Sequence, residues 1–238
     1  RLVGSEMCIR DSVYQQYISD TPTTIVSNLK DDGYTCIAMH PYYETGWSRN
    51  LVYPHIGFDE MHFIDYFDQT KILREYITDQ ELYDKIIKRY ENRKNNEKLF
   101  FMGITMQNHG GYTETYDNFP ENYYKVGRSY TDANQYLSLV HESDEAVKNL
   151  ISYFSKVDDP VEIIFFGDHQ PSLNSNFYPI LNGKGLTGLT EDELEKLYTV
   201  PFFIWTNYDT PEETVDITSL DYPVSYTHLR AHETDSYL

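Results

Sequence analysis

Short apolar runs alternate along this chain with longer segments in which apolar residues recur every three to four positions. The apolar runs cover residues 34–39, 99–106, 161–166 and 200–205. Their length and apolar character predict buried strands. The periodic segments cover residues 79–95 and 132–156, and they predict amphipathic helices.

Local signals place several helix ends. Asp20 lies just ahead of a proline and predicts the start of a first helix. Thr78 with Glu81 predicts a capping box ahead of the segment 79–95, and Thr190 with Glu193 does the same for a short helix. Helices that alternate with fully apolar strands predict an α/β fold with a mostly parallel sheet.

Composition and charge narrow the class of protein. The 238 residues include 19 Lys and Arg against 38 Asp and Glu, for a net charge of -19, and 40% are hydrophobic. This content is too apolar for a disordered chain, and the acidity argues against nucleic-acid binding and against docking on an anionic membrane through a basic face. No run approaches the roughly 18 apolar residues of a membrane span. The two cysteines, Cys8 and Cys36, exclude a disulfide framework and a thiolate zinc site.

The two ends of the chain differ from the rest. Residues 1–12 and 224–238 have neither helical nor strand periodicity, and the start lacks the features of a signal peptide. Both resemble translated sequencing-adapter read-through. We therefore expect two non-native tails and a natural segment of about 13–223 that is cut at both sides.

Three of the predicted strands are followed by histidines: His40, His109 and the pair Asp168-His169. In open α/β sheets, ligands bind outside the carboxyl ends of the strands, so these side chains are expected to gather at one edge. A carboxylate next to an imidazole suits Mn²⁺, Zn²⁺ or Mg²⁺, although two ligands do not complete a site. A turn capped by Asp168, with His169 merely exposed, is the alternative.

Two loops carry further candidates. Arg49 presents a fork of donors that matches phosphate or sulfate oxygens, and Trp47 could wall a pocket beside it. His109, followed by two glycines, could steady a phosphoryl oxygen or protonate a leaving group. An exposed loop and a structural histidine are the simpler interpretations. A structural role is favoured for three other histidines: His55, His62 and His141.

Three motifs together point to a family. They are HPYYETGWSRNLVYPHIGFDE (40–60), FFMGITMQNHGGY (100–112) and FFGDHQP (165–171). They resemble the lipoteichoic acid synthase family, whose members are sulfatase-like phosphoglycerol transferases of the alkaline phosphatase superfamily. The resemblance covers about 13–222. It implies a sulfatase-like α/β sandwich, truncated at both ends, whose central and mostly parallel sheet has helices on both faces.

The resemblance also implies roles for residues. Asp168 and His169 match half of the metal site, with Mn²⁺ expected and Mg²⁺ or Zn²⁺ as alternatives. His109 matches the histidine that contacts the substrate phosphate and is the catalytic candidate. The residues that match the lining of the glycerol-phosphate pocket are His40, Trp47, Arg49 and His109.

The implied reaction moves glycerol phosphate from a phosphatidylglycerol-type lipid to a growing polymer through a covalent threonine intermediate. That threonine and a glutamate metal ligand precede the region matching Val13. We therefore expect a fragment that binds metal weakly and is inactive. Its parent is expected in a bacterial cell membrane, anchored by N-terminal helices that this chain lacks, with the catalytic domain on the extracellular face.

Two other functions remain open. The first is a sulfatase, or another phospho-transferase or hydrolase of the same superfamily. The spacing of Trp47 and Arg49 after His40 favours glycerol phosphate over this alternative. The second is a non-catalytic domain that binds a wall component. Binding alone would not require a pair of metal-ligating residues, so a divalent-metal titration separates this alternative from a transferase.

Overall fold

The computed structural model describes residues 23–119 and 130–214. Its α-helices are Ile25–Asp31 (α1), Arg49–Ile56 (α2), Asp79–Glu91 (α3), Thr131–Phe154 (α4), Tyr178–Asn182 (α5) and Glu191–Glu195 (α6). Its strands are Tyr34–Met39 (β1), Glu60–His62 (β2), Ile72–Leu73 (β3), Tyr76–Ile77 (β4), Lys98–Gly103 (β5), Glu162–Phe166 (β6) and Phe202–Thr206 (β7). Asp20 and both predicted tails lie outside the described residues. Within the described ranges, no helix combines the length and apolarity needed to cross a membrane.

A parallel sheet of three strands, in the order β2-β1-β5, forms the centre of the first compact unit. This unit contains the described residues up to Tyr153 and also Gly167–Val200. In the central strand β1, Cys36 pairs with Phe100 and Met39 with Gly103 of β5. The α/β class and the parallel sheet are thus confirmed.

Helices cover both faces of this sheet. On one face, Cys36 and Ala38 of β1 pack in a core with Val26 of α1 and Val52 of α2. On the other face, a Cβ at Gly103 would lie 3.3 Å from the Cδ1 atom of Ile86, so α3 packs directly on β5. Burial of apolar side chains from both faces is the main contribution to the stability of this unit.

The caps differ in detail from the sequence prediction. The Oγ1 atom of Thr78 accepts from the amide of Glu81 at 3.2 Å, as expected. The reciprocal half is not formed there, because the Glu81 carboxylate accepts from the amide of Asp68 at 2.9 Å. Both halves of the box are present between Thr190 and Glu193. The cap of α1 is Thr24.

The second unit contains Phe154–Phe166 and the described residues from Pro201 onward. Its strands β6 and β7 pair antiparallel, and no pairing among the described residues joins β6 to the parallel sheet. The predicted burial of β6 is wrong on one side, since Phe166 is 52% exposed. Apart from the last residue of α4, the described part of this unit has no helix or strand besides β6 and β7 that could cover that face.

Candidate functional site

His40 follows β1 directly, and only 1% of its surface is exposed. Its Nδ1 atom lies 2.9 Å from the carbonyl oxygen of Ile104. Because a carbonyl only accepts, Nδ1 carries the proton and Nε2 is an acceptor, which has no hydrogen-bond partner among the described residues. Burial first, and then repulsion from Arg49, lowers the pKa of His40 to about 4. His40 is therefore a neutral imidazole at pH 7.

Arg49 begins α2 and is buried. Its Nε atom donates to the hydroxyl of Tyr53 and its Nη1 atom to the carbonyl of Gly46, both at 3.1 Å. The guanidinium carbon lies 4.5 Å from the centre of the Trp47 ring, within cation–π distance. No described residue accepts a hydrogen bond from Nη2, so Arg49 is held in place with donors to spare.

Trp47 and Ser48 form the tight turn that leads into α2. Their φ angles are 53° and 55°, in the left-handed region that costs a residue other than glycine about 1–3 kcal/mol. The turn places the Trp47 ring 6.1 Å from the ring of His40 and 5.8 Å from the ring of His109. Trp47 thereby joins two segments that are distant in sequence.

His109 lies in the loop after β5, and its ring faces that of Tyr76 as well as Trp47. Its Nδ1 atom is 3.3 Å from the hydroxyl of Tyr76. Partial burial of the ring is the largest cause that lowers the pKa of His109. His169 lowers this pKa further, whereas Asp168 raises it, so both act on His109 electrostatically.

Asp168 and His169 follow Gly167 in an exposed turn, with side chains that are 85% and 64% exposed. The Nδ1 atom of His169 lies 2.9 Å from the carbonyl oxygen of Gln170, and in the neutral tautomer that donates to it Nε2 is the acceptor. This nitrogen lies 3.6 Å from the Oδ2 atom of Asp168. One ion about 2.1 Å from each atom fits that separation.

This pair by itself does not make a metal site. Within residues 23–119 and 130–214, no group of three or more His, Cys, Asp or Glu side chains could hold a metal ion. A neutral imidazole and a carboxylate have the donor chemistry that Mn²⁺ or Zn²⁺ takes, but two ligands do not complete a site.

A buried polar network lies behind the loop of His109. The Oγ atom of Ser143 in α4 donates to Asp79 Oδ2 at 2.6 Å and accepts from the side-chain amides of Gln107 and Asn108. Gln107 in turn accepts from the backbone amide of Asp79. The network connects the first turn of α3 and the middle of α4 to the residues just before His109.

Asp79→Asn is expected to change how stability depends on pH. Burial raises the pKa of Asp79 from 3.8 to about 6, so the folded protein holds the proton more tightly than the unfolded chain. This contribution is complete below pH 3.8 and is lost as the pH rises through about 6. Urea denaturation should show the free energy of unfolding of the wild type, minus that of the variant, falling by about 2 kcal/mol from pH 4 to pH 7.

The control is Asp84→Asn, which changes an exposed carboxylate of the same helix. It should not reproduce the pH effect of Asp79→Asn. A difference between wild type and Asp79→Asn that stays constant from pH 4 to pH 7 would contradict the prediction.

The structure brings four of the predicted residues into one cluster: His40, Trp47, Arg49 and His109. Sequence reasoning missed Tyr76 and Arg74, which contact the His109 loop. Arg74 lies in the turn between two-residue strands and Tyr76 begins the second of them, and strands of this length are too short for any periodicity. Among the other described histidines, His62 stacks on Tyr66 instead, with ring centres 3.9 Å apart.

Comparison with known proteins assigns the family. Residues 5–228 match the sequence model of the family described as Sulfatase. The chain belongs to the sulfatase family. It is 27% identical over 218 residues, 88% of this chain and 32% of the relative, to a lipoteichoic acid synthase of Staphylococcus saprophyticus. It is 33% identical, over 62% of this chain and 26% of the relative, to the capsular polysaccharide biosynthesis protein RkpI of Rhizobium meliloti.

Two solved structures also match the fold of this chain. The lipoteichoic acid synthase LtaP of Listeria monocytogenes matches with a TM-score of 0.65 and 20% identity, over 80% of this chain and 48% of that one. The phosphoglycerol transferase GacH of Streptococcus pyogenes matches with a TM-score of 0.57 and 24% identity, over 74% and 44%. These matches confirm the fold, and the sequence relatives confirm the resemblance to lipoteichoic acid synthases. The chain spans about a third or less of the length of the S. saprophyticus synthase and of RkpI.

Proposed function

We propose that this chain forms part of the active site of a metal-dependent phosphoglycerol transferase. Such an enzyme would move glycerol phosphate from a phosphatidylglycerol-type lipid to a growing polymer through a covalent threonine intermediate. The observation that supports this most is the guanidinium of Arg49, held over the ring of Trp47 with Nη2 unbonded among the described residues. The same Trp47 ring lies 5.8 Å from the imidazole ring of His109.

Each residue of the cluster has a task in this proposal. Arg49 donates from Nη2 to phosphoryl oxygens, where a fixed fork is stronger and more directional than a mobile ammonium. His109 donates a further hydrogen bond to the phosphoryl group or a proton to the leaving oxygen. The neutral His40 accepts at Nε2 from a glycerol hydroxyl, and this would satisfy a buried polar atom.

Asp168 and His169 are the residues that would hold the ion, which we propose to be Mn²⁺, with Mg²⁺ or Zn²⁺ as alternatives. A bound divalent ion supplies positive charge that activates an attacking hydroxyl and offsets the charge on phosphoryl oxygens. Further ligands, among them a glutamate, are required because the described pair is incomplete.

The relatives support the substrate class. Lipoteichoic acid synthases are among the matched proteins, and the GacH structure was solved in complex with sn-glycerol-1-phosphate. By analogy we propose a bacterial cell-membrane protein whose catalytic domain lies on the extracellular face. Another matched relative, RkpI, is named for capsular polysaccharide biosynthesis.

Calorimetric titration of this chain with sn-glycerol-1-phosphate, with and without Mn²⁺, tests the substrate. We expect binding that Mn²⁺ strengthens, binding of inorganic sulfate that is weaker, and no turnover, because no residue here matches the implied threonine nucleophile. Tighter binding of sulfate and of aryl sulfate esters would favour a sulfatase instead. Binding of glycerol phosphate that ignores every divalent metal would favour a non-catalytic binding domain.

The metal ligands are tested separately. We expect electron paramagnetic resonance to detect Mn²⁺ binding by the wild-type chain, and the double variant Asp168→Asn/His169→Gln should lose it, because both donor atoms are removed or weakened. The matched control is His62→Gln, since His62 Nε2 and Glu60 Oε2 form another carboxylate–imidazole pair at 3.1 Å. Equal Mn²⁺ binding by the double variant and the wild type would refute the assignment.

A further inference from the structure

A small β-hairpin contacts the loop that carries His109. Strands β3 and β4 pair Leu73 with Tyr76, and Arg74 lies in the two-residue turn between them. The φ angle of Arg74 is 56°, an uncommon value for a residue with a side chain. The side-chain amide of Asn118 donates to the carbonyl of Arg74 at 3.0 Å and so holds this turn.

Arg74 donates only to uncharged groups, and only 5% of its surface is exposed. Its Nη2 atom donates to the carbonyls of Gln107 at 2.9 Å and His109 at 2.8 Å. Its Nη1 atom donates to the carbonyl of Gly111 at 2.8 Å and to the side chain of Gln135 at 3.1 Å. A buried cation is costly unless its donors are satisfied, so these oxygens are its compensation.

Three carbonyls in a stretch of five residues thus accept from one side chain. Each of the two Nη atoms is engaged twice, so Arg74 has no Nη donor left for a substrate. Its Nε atom is buried and has no hydrogen-bond partner among the described residues. Arg74 therefore holds the backbone of the His109 loop, and its charge also lowers the pKa of His109.

Tyr76, two residues later in the hairpin, contacts the imidazole itself. Its hydroxyl lies 3.3 Å from Nδ1 of His109, and the two ring centres are 5.6 Å apart. Burial raises the pKa of Tyr76, so the phenol keeps its proton at neutral pH and can donate it in a hydrogen bond. Trp47 contacts the same imidazole at 5.8 Å, which restricts rotation of the ring.

We propose that the hairpin Ile72–Ile77 positions His109: Arg74 fixes the loop backbone, and Tyr76 donates to Nδ1 and keeps the imidazole proton on Nε2. With the proton there, Nε2–H is the donor that a phosphoryl oxygen would meet. The significance for catalysis rests on the proposed phosphoglycerol transfer, whereas the positioning itself does not. Arg74 and Tyr76 are positioning residues and touch no reacting atom in this scheme.

The tautomer can be measured on this chain without any substrate. Nitrogen-15 shifts of the histidine rings distinguish protonated from unprotonated nitrogens, and His109→Gln assigns the His109 signals. At neutral pH we expect Nε2 protonated and Nδ1 unprotonated in the wild type, with both shifts altered in Tyr76→Phe. The control is Tyr153→Phe, which removes a hydroxyl that donates to Glu91 at 3.0 Å. A proton on Nδ1, or unchanged shifts in Tyr76→Phe, would overturn the role of Tyr76.

The hydrogen bonds from Arg74 to the His109 loop and to Gln135 form a clamp. Arg74→Lys tests this clamp, because an ammonium cannot reproduce the fork that reaches four acceptors. Hydrogen exchange of the His109 amide, which is bonded to Met106, should accelerate about tenfold. Arg93→Lys is the control, since Arg93 also lies over a tyrosine ring and donates to the carbonyl of Tyr90. Unchanged exchange in a folded Arg74→Lys would overturn the role of Arg74, and if that variant does not fold, the shifts of Tyr76→Phe decide the proposal.

Binding of sn-glycerol-1-phosphate separates the two proposals. If both are correct, Tyr76→Phe and Arg74→Lys weaken this binding several-fold while Tyr153→Phe and Arg93→Lys do not. If the wild type does not bind glycerol phosphate but its ring shifts behave as expected, the proposed function fails and the positioning stands. If the wild type binds glycerol phosphate but its ring shifts do not behave as expected, the positioning role fails and the proposed function stands.

Discussion

Arg49→Ala should weaken binding of sn-glycerol-1-phosphate to this chain by about 10- to 100-fold. A hydrogen bond to a charged group contributes about 1.5–3 kcal/mol, and each 1.4 kcal/mol is a factor of ten in affinity. Arg49 is already oriented by Tyr53 and Gly46, so little side-chain entropy is lost when the phosphate arrives. Calorimetric titration measures the change directly.

Two further variants show whether the fork or only the charge matters. Arg49→Lys keeps the charge but loses the planar fork, and its affinity should lie between those of the wild type and Arg49→Ala. Arg93→Ala removes another arginine that stacks on an aromatic ring, 3.9 Å from the centre of Tyr90, and should bind as the wild type does. An affinity of Arg49→Ala within a factor of two of the wild type would exclude Arg49 from the phosphate site.

His40→Gln should remove a large part of the sensitivity of the fold to acid. The pKa of His40 is about 4 in the folded protein and 6.5 when exposed, so the unfolded chain binds the proton first. The stabilisation is therefore present above pH 6.5 and is lost as the pH falls through about 4. The free energy of unfolding of the wild type, minus that of the variant, should rise by about 3 kcal/mol from pH 4 to pH 7.

Asp79→Asn is the comparison in this experiment, because Asp79 changes the pH dependence of stability with the opposite sign over an overlapping pH range. Glutamine can still donate to the carbonyl of Ile104, so the variant keeps the hydrogen bond and loses only the titrating group. The double variant His40→Gln/Asp79→Asn should lose both pH effects. A pH-independent difference between wild type and His40→Gln would show that His40 takes up protons as easily when folded as when unfolded.

Local patterns were sufficient to predict two strands of the parallel sheet, β1 and β5, but not the three-residue strand β2. Apolar runs located β1 at residues 34–39 and β5 within four residues of its observed end. The capping residue Thr78 marked the start of α3 because its hydroxyl bonds a nearby amide, an interaction that short sequences encode. The same patterns placed His40 directly after β1.

Pairing between distant segments was not predictable in this way. An apolar run carries no information on the direction of its neighbour, so the antiparallel pairing of β6 with β7 appears only in the structure. The carbonyl oxygens that Arg74 binds have no side-chain identity, and the sequence therefore contains no mark of that clamp. The contact of Tyr76 with His109 likewise spans 33 positions.

The clamp by Arg74 makes mutational tolerance of the His109 loop uneven. Three of its four acceptors are main-chain oxygens, which every amino acid supplies, so side chains at these loop positions can vary without removing an acceptor. Arg74 itself cannot be replaced in this way, because no other side chain presents the same planar fork of donors. Sequence change in this loop would thus be limited by its side-chain contacts, such as those of Gln107 with Asp79 and Ser143, and not by the carbonyls that Arg74 binds. Positions without such contacts could acquire new specificity on an unchanged support.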